Sequence, residues 1–296
     1  MNICLLGLSG SGKTCYLYTM SHVLANGISI NGHTISAIST DRRQQLRLNR
    51  GIEQMANGIW PDGSTDTITY SFDLKVDGCS MGEFTIYDYR GGALDGMSDN
   101  DMDDAEELFD TFEDSSCITF LIDGDTLLAA LDPQYLEPEH SNISFQSQLK
   151  ARHKINYIES LIKECSQRLD NNVPILLVIT KKDIFSDNEL TAGQELLRKL
   201  LPTVFSIHND MTAGITSVTL GRNLNNDHGK ITNRQVTLYL NTKGNIHLPV
   251  LFALLQDLDD DTNVPIDVEE IRSLTYKLFT PDRISFYRGG RKAVIL

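Results

Sequence analysis

The chain lacks most of what a membrane protein, a metalloenzyme or a nucleic-acid binder would need. No run of eighteen apolar residues occurs anywhere in its 296 residues, so a membrane-spanning helix is not expected. The opening segment already reads as a strand and a glycine-rich loop, so no leader peptide is expected either. Basic residues are few, 26 lysines and arginines against 40 aspartates and glutamates, for a formal charge of -14. That balance disfavours the clustered cations that sequence-independent binding to nucleic-acid phosphates requires. The five cysteines, Cys4, Cys15, Cys79, Cys117 and Cys165, show no C-x-x-C spacing, and they fit free thiols in a reducing cytoplasm. The seven histidines form no H-E-x-x-H pattern and no close Cys/His set, which argues against zinc. A G-x-S-x-G elbow and an opening G-x-G-x-x-G are also missing, against ester hydrolysis and dinucleotide binding. Internal repeats are absent. A 41% hydrophobic and 22% charged composition is that of a globular protein, long enough for one large domain or two smaller ones.

What is present begins at the first residue. The apolar run Ile3 to Leu6 leads into Gly7-Leu8-Ser9-Gly10-Ser11-Gly12-Lys13-Thr14, a complete G-x-x-x-x-G-K-[ST] pattern between a strand and a helix expected over 14–24. Glycines allow a tight loop whose amides face phosphates. Lys13 adds a point charge, and the Thr14 hydroxyl can ligate magnesium as the helix begins.

Two further segments follow strands in the same way. Alternation over 67–74 predicts a strand joined through Asp77-Gly78 to a second one over 83–88, which ends in Asp88-Tyr89-Arg90-Gly91. An acid at such a strand end can hold magnesium directly or through water, and Gly91 leaves its amide free to approach a γ-phosphate. Val173 to Thr180 is the most continuous apolar strand and predicts a parallel sheet covered on both faces. It runs into Thr180-Lys181-Lys182-Asp183, where the Asp183 carboxylate can accept from N1-H and the exocyclic amine of guanine, donors that adenine does not present together. The stem of Lys181 can cover the base plane. Elsewhere, patterning predicts a helix over 42–55 around Leu46, a long helix over 142–169, a strand over 215–220 and a polar loop over 221–230, and leaves Ile28, Ile30 and Ile35 in a short unassigned segment.

The order of these three segments resembles the Ras-like branch of translation-factor-related P-loop GTPases. That resemblance implies a three-layer α/β fold with a mostly parallel central sheet, binding of GTP or GDP with Mg2+, and GTP hydrolysis. It implies nucleotide contacts from Gly7, Ser9, Gly10, Ser11, Gly12, Lys13, Thr14 and Cys15, from Thr180, Lys181 and Asp183, and from a base loop at Ser217 and Val218. Magnesium ligands would be Thr14, Asp88 and a first-switch threonine, with Thr65 favoured over Thr67; Lys13, Thr65, Arg90 and Gly91 would serve the chemistry. Thr180 stands where the family usually has asparagine, and Gly92 where Ras-like members carry the glutamine that orients water, so slow unaided hydrolysis is expected.

The resemblance covers residues 1–258, with insertions near 95–114 and 133–169, and leaves 259–296 as a C-terminal extension expected to pack on the same domain. Residues 95–114 hold ten acidic side chains and no basic one, a solvated face or a docking surface for a basic partner. A protein effector or activator is implied, and a homodimer could replace the missing glutamine. Trp60-Pro61 resembles the region before the first switch in bacterial double-GTPase-like proteins, which implies a signalling or defence setting. Two other readings stay open: a non-hydrolysing guanine-nucleotide module, motivated by Gly92, and a P-loop ATPase or kinase in which Asp183 is incidental.

Overall fold

The computed structural model describes residues 1–8, 10–30, 32–61, 67–88, 115–131, 173–205, 211–222, 237–257, 279–280 and 282–293, with helical positions at 159, 163, 273 and 277. Its described elements are β1 (Asn2–Gly7), α1 (Lys13–Ala25), β2 (Ile28–Ile30), β3 (His33–Ser39), α2 (Arg42–Ala56), β4 (Ile68–Val76), β5 (Cys79–Asp88), β6 (Cys117–Ile122), α3 (Gly124–Ala129), β7 (Ile175–Ile179), α4 (Asp187–Leu200), β8 (Thr212–Ser217), β9 (Gly221–Arg222), β10 (Thr237–Leu238), α5 (Leu248–Asp257), β11 (Ile284–Arg288) and β12 (Arg291–Ala293).

Ten of these strands form one sheet in the order β12-β11-β8-β7-β6-β1-β5-β4-β3-β2. The centre is parallel: β1 pairs with both β5 and β6, β6 with β7, and β7 with β8. Antiparallel strands extend both flanks, β4, β3 and β2 on one side and β11 and β12 on the other. The chain therefore folds as α/β with a mixed sheet and a parallel core.

Burial follows from side-chain type. All residues of β6 and β7 are buried, as expected of parallel strands covered on both faces. In β1, Ile3 and Leu5 join one core while Cys4 and Leu6 join the other, because successive strand side chains point to opposite faces. The first core is closed by α1, α2 and α5, and the second by α3 and α4, giving three layers. In α2 the buried Leu48, Ile52 and Met55 fall at helical spacing on one face, and Asp41 caps its start by accepting from the Arg43 amide at 2.7 Å. Ser186 and Glu189 form a reciprocal capping box at the start of α4. On β4 and β5 the paired Phe72 and Phe84 stack at 5.0 Å, a cross-strand contact that fixes register.

Three features differ from the sequence expectation. Ile28, Ile30 and Ile35 build a hairpin that widens the sheet, because both strands bury alternate residues in the first core. The strand expected over 215–220 runs instead from Thr212 to Ser217, since pairing with β7 starts at Ala213, a small residue with no strand signal of its own. Gly221 and Arg222, expected in a loop, pair antiparallel with Leu238 and Thr237. The helix expected over 142–169 and the acidic insertion lie outside the described residues, apart from helical positions 159 and 163.

The parallel core sets where chemistry can sit. Strands β1, β5, β6, β7 and β8 all end on one edge, with Leu5 beside Asp88, Gly7 beside Leu121, and Ile179 beside both Ile122 and Ser217. Strand order reverses direction at β1, whose neighbours β5 and β6 lead away on opposite sides. Such a reversal opens a crevice at the carboxyl ends of the strands.

Candidate functional site

At the end of β1 the chain turns sharply and enters α1. Gly12 caps the helix in the left-handed region, φ 89°, and Gly10 has φ 79°, conformations open to glycine at little cost. The Ser11 amide closes the turn on the Leu8 carbonyl at 3.1 Å. Lys13 is buried, and its ammonium folds back to donate to the Gly7 carbonyl at 2.6 Å and to the Leu8 carbonyl at 3.4 Å. The first turn of α1 holds no acidic residue and no side-chain cap. The amides of the first turn lie at the positive end of a helix dipole. Together the turn and the helix start form a cradle for an anion.

Asp88, the last residue of β5, is 1% exposed, and neither carboxylate oxygen has a hydrogen-bond partner among the described residues. Burial raises its pKa to about 6, against the pull of the Lys13 and Arg47 charges. A buried carboxylate left without donors is costly, and a cation held beside it would answer that cost. The residues present therefore fit a magnesium-bound polyphosphate. Among the described residues no group of three or more His, Cys, Asp or Glu could hold a metal ion.

The other end of the crevice lies beyond β7 and β8. Lys181 has φ 54°, and the short turn Lys182–Ile184 carries Asp183 outward. The Asp183 carboxylate accepts from the Thr219 hydroxyl at 2.6 Å. Thr219 is itself fixed: its amide donates to the Gly244 carbonyl at 3.0 Å, and its hydroxyl oxygen accepts from the Gly221 amide at 3.3 Å. The Asn245 amide group braces the Ser217 carbonyl at 3.3 Å, and the Lys182 amide donates to the Val218 carbonyl at 3.0 Å. Thr180 hydrogen-bonds back to Ile122 through both its amide and its hydroxyl.

Lys13, Thr14, Asp88, Thr180, Lys181 and Asp183 thus share one sheet edge. Ser217 and Val218 lie there too but are buried, and the residue that touches Asp183 is Thr219, which the sequence did not single out. A hydroxyl two residues past a strand end carries no local pattern. Only its pairing with a carboxylate 36 positions away reveals it. Cys15 follows Thr14, and burial pushes its thiol up to about 11 despite the Lys181 charge, so it is a packed thiol and not a nucleophile. Ser9, Thr65, Arg90, Gly91 and Gly92 lie outside the described residues.

No protein-family model and no curated protein matches this chain. Among solved structures it is distantly similar to the GTP-bound GTPase-like domain of S. cerevisiae Ski7, at 15% identity over 88% of this chain and 51% of that one, TM-score 0.42. It is similar to the mammalian SRP receptor at 14% identity over 74% of this chain and 91% of the receptor chain, TM-score 0.38. A third is the bacterial selenocysteine-specific elongation factor EF-Sec, at 15% identity and TM-score 0.36, where 74% of this chain spans 25% of the factor.

Proposed function

We propose that this protein binds a guanine nucleotide with magnesium and works as a GTP-dependent switch, hydrolysing GTP slowly alone and faster with a partner. The observation that carries the reading is that Lys13 opens the helix after β1, Asp88 closes β5 and Asp183 lies in the turn after β7, all beyond the same edge of the parallel core. Lys13 and the first-turn amides would hold the β- and γ-phosphates. Thr14 and Asp88 would hold magnesium, which when bound neutralises the phosphate oxygens. Asp183, held by Thr219, would select guanine by accepting its two edge donors. Segments that include Thr65, Arg90 and Gly91 would respond to the γ-phosphate, since they flank β4 and β5 in sequence.

Gly92 favours a second reading, a guanine-nucleotide holder that scarcely turns over, because it brings no side chain to orient water. Calorimetry of the purified chain with GTP, GDP and ATP under magnesium tests the first step. Tight GTP and GDP binding with ATP at least a hundredfold weaker is expected, and ATP preference refutes the guanine assignment. Phosphate release measured over hours separates switch from holder. Lys13→Ala is expected to abolish tight triphosphate binding, whereas Asp183→Ala keeps binding and loses base discrimination.

A further inference from the structure

Lys181 is held by more than its strand. Its ammonium lies 2.6 Å from an Asp123 carboxylate oxygen and 2.5 Å from one of Asp125. Asp123 follows β6 directly and Asp125 is two residues on, whereas Lys181 follows β7, the parallel neighbour of β6. The two strand ends are drawn tightly together at this point. Gly124 between the two acids sits so close to the Thr180 carbonyl that a Cβ there would run into it, and Asp123 is anchored by accepting from the Thr126 amide at 3.1 Å and the Thr126 hydroxyl at 2.8 Å.

This arrangement fixes where the lysine stem runs. Its backbone sits in the left-handed region, which a side-chain-bearing residue occupies only when its surroundings hold it there. Its head is pulled across from β7 to the end of β6, the strand beside β1 and the phosphate loop. The stem is thus held between the end of β7 and the end of β6, on the side of Asp183 that leads toward β1 and the loop. On the guanine-nucleotide reading, a purine with its edge on Asp183 and its phosphates on the loop would lie over that stem. Burial works to lower the Lys181 pKa, but its bonds to Asp123 and Asp125 and their charges outweigh burial and hold it above the ordinary lysine range.

We propose that Asp123 and Asp125 are positioning residues that clamp Lys181 into a platform for the nucleobase, Asp125 closing a clamp that Asp123 anchors. The inference rests on the guanine-nucleotide reading of this site. A single exposed ion pair holds a lysine weakly, and two carboxylates on one ammonium restrict it further. Freed from the clamp, the stem would sample rotamers that the base must then select against.

The experiment is a double-mutant cycle on the full chain, read as affinity for GDP with magnesium and for inorganic tripolyphosphate with magnesium. Asp125 is 63% exposed at its side chain and caps nothing, so Asp125→Asn leaves the fold intact, which an unchanged melting temperature checks. Asp125→Asn is expected to weaken GDP binding about fivefold to tenfold and to leave tripolyphosphate binding within twofold. Asp125→Glu should restore most of the loss. In Lys181→Met, which keeps an unbranched stem and has no charge to clamp, adding Asp125→Asn should change GDP affinity less than twofold. Equal GDP affinity of the Asp125→Asn variant and the parent, or an undiminished loss in the Met background, overturns the clamp. Failure of the parent chain to bind GDP at all instead overturns the guanine-nucleotide reading beneath it.

Discussion

Replacing Asp88 with asparagine should make the nucleotide-free protein more stable, and more so as pH rises. The Asp88 carboxyl has an ordinary value of 3.8 and is raised to about 6 in the folded chain, chiefly by burial, with Lys13 and Arg47 opposing. A group whose folded pKa is raised prefers its protonated form in the folded state. Its neutral form costs nothing extra below 3.8, and the penalty for ionising it grows through the window up to about 6, then levels off. The gap corresponds to about 3 kcal/mol at full ionisation, of which about half is already present at pH 5. The asparagine amide keeps the shape of the carboxyl without its charge, so the stability of Asp88→Asn relative to the parent should rise by about 1.4 kcal/mol between pH 5 and pH 8. Urea unfolding at the two pH values, without nucleotide or magnesium, measures this difference as a shift of midpoint at constant slope. Magnesium with GDP should reverse the ranking at pH 8, because a bound cation stabilises the ionised carboxylate of the parent and cannot do so for the variant. An equal effect of the substitution at both pH values, or a destabilised variant at pH 8, refutes the reasoning. The site would then hold a carboxylate that is solvated or paired, and the case for a cation there would fall with it.

Thr219→Val removes the hydroxyl that holds Asp183 and should weaken GDP about fivefold, the worth of about 1 kcal/mol for one hydrogen bond, with tripolyphosphate unaffected in the same titration. Gly12→Ala places a side chain at φ 89° where no atom crowds it. The cost is then conformational, about 1–2 kcal/mol, read as a melting temperature lower by about 2–8 °C; an unchanged melt would show that the cap relaxes freely. His247 is fully buried with neither ring nitrogen partnered among the described residues, and burial, aided by the Arg283 charge, lowers its pKa to about 4. Its neutral form is the folded one, so stability should be lost as pH falls from 6.5 toward 4, and His247→Leu should flatten that acid limb in denaturant melts. A variant with the same acid limb as the parent would place the effect elsewhere.

Much of the site was legible because it is written in short, local patterns. The loop at Gly7 to Thr14 needs small residues for its turn and a lysine at its end, and these adjoin in the chain. The continuous apolar run of β7 announces a strand covered on both faces before any contact is known. The helix over 42–55 was legible too, but Leu46, the apolar residue that marks it in the sequence, is 62% exposed, and the buried face is made by Leu48, Ile52 and Met55. Harder to read were features made by partners far apart. The β2–β3 hairpin is short, β8 begins with Thr-Ala-Gly, and the β9–β10 pair joins segments with no strand pattern of their own. Their pairing is set by neighbouring strands, which local propensity does not encode.

What the sequence by itself determined is the set of candidate groups and the strands they follow or close: Lys13 after β1, Asp88 closing β5, Asp183 beyond β7. Each follows from periodicity and turn chemistry within a dozen residues. Only the tertiary structure decided which other side chains act on them. It brought Thr219 to Asp183 and Asp123 and Asp125 to Lys181, and it buried Asp88 with no donor to its carboxylate among the described residues. Those outcomes depend on parallel strands ending on one edge, and strand order is a property of the whole sheet that no single segment contains.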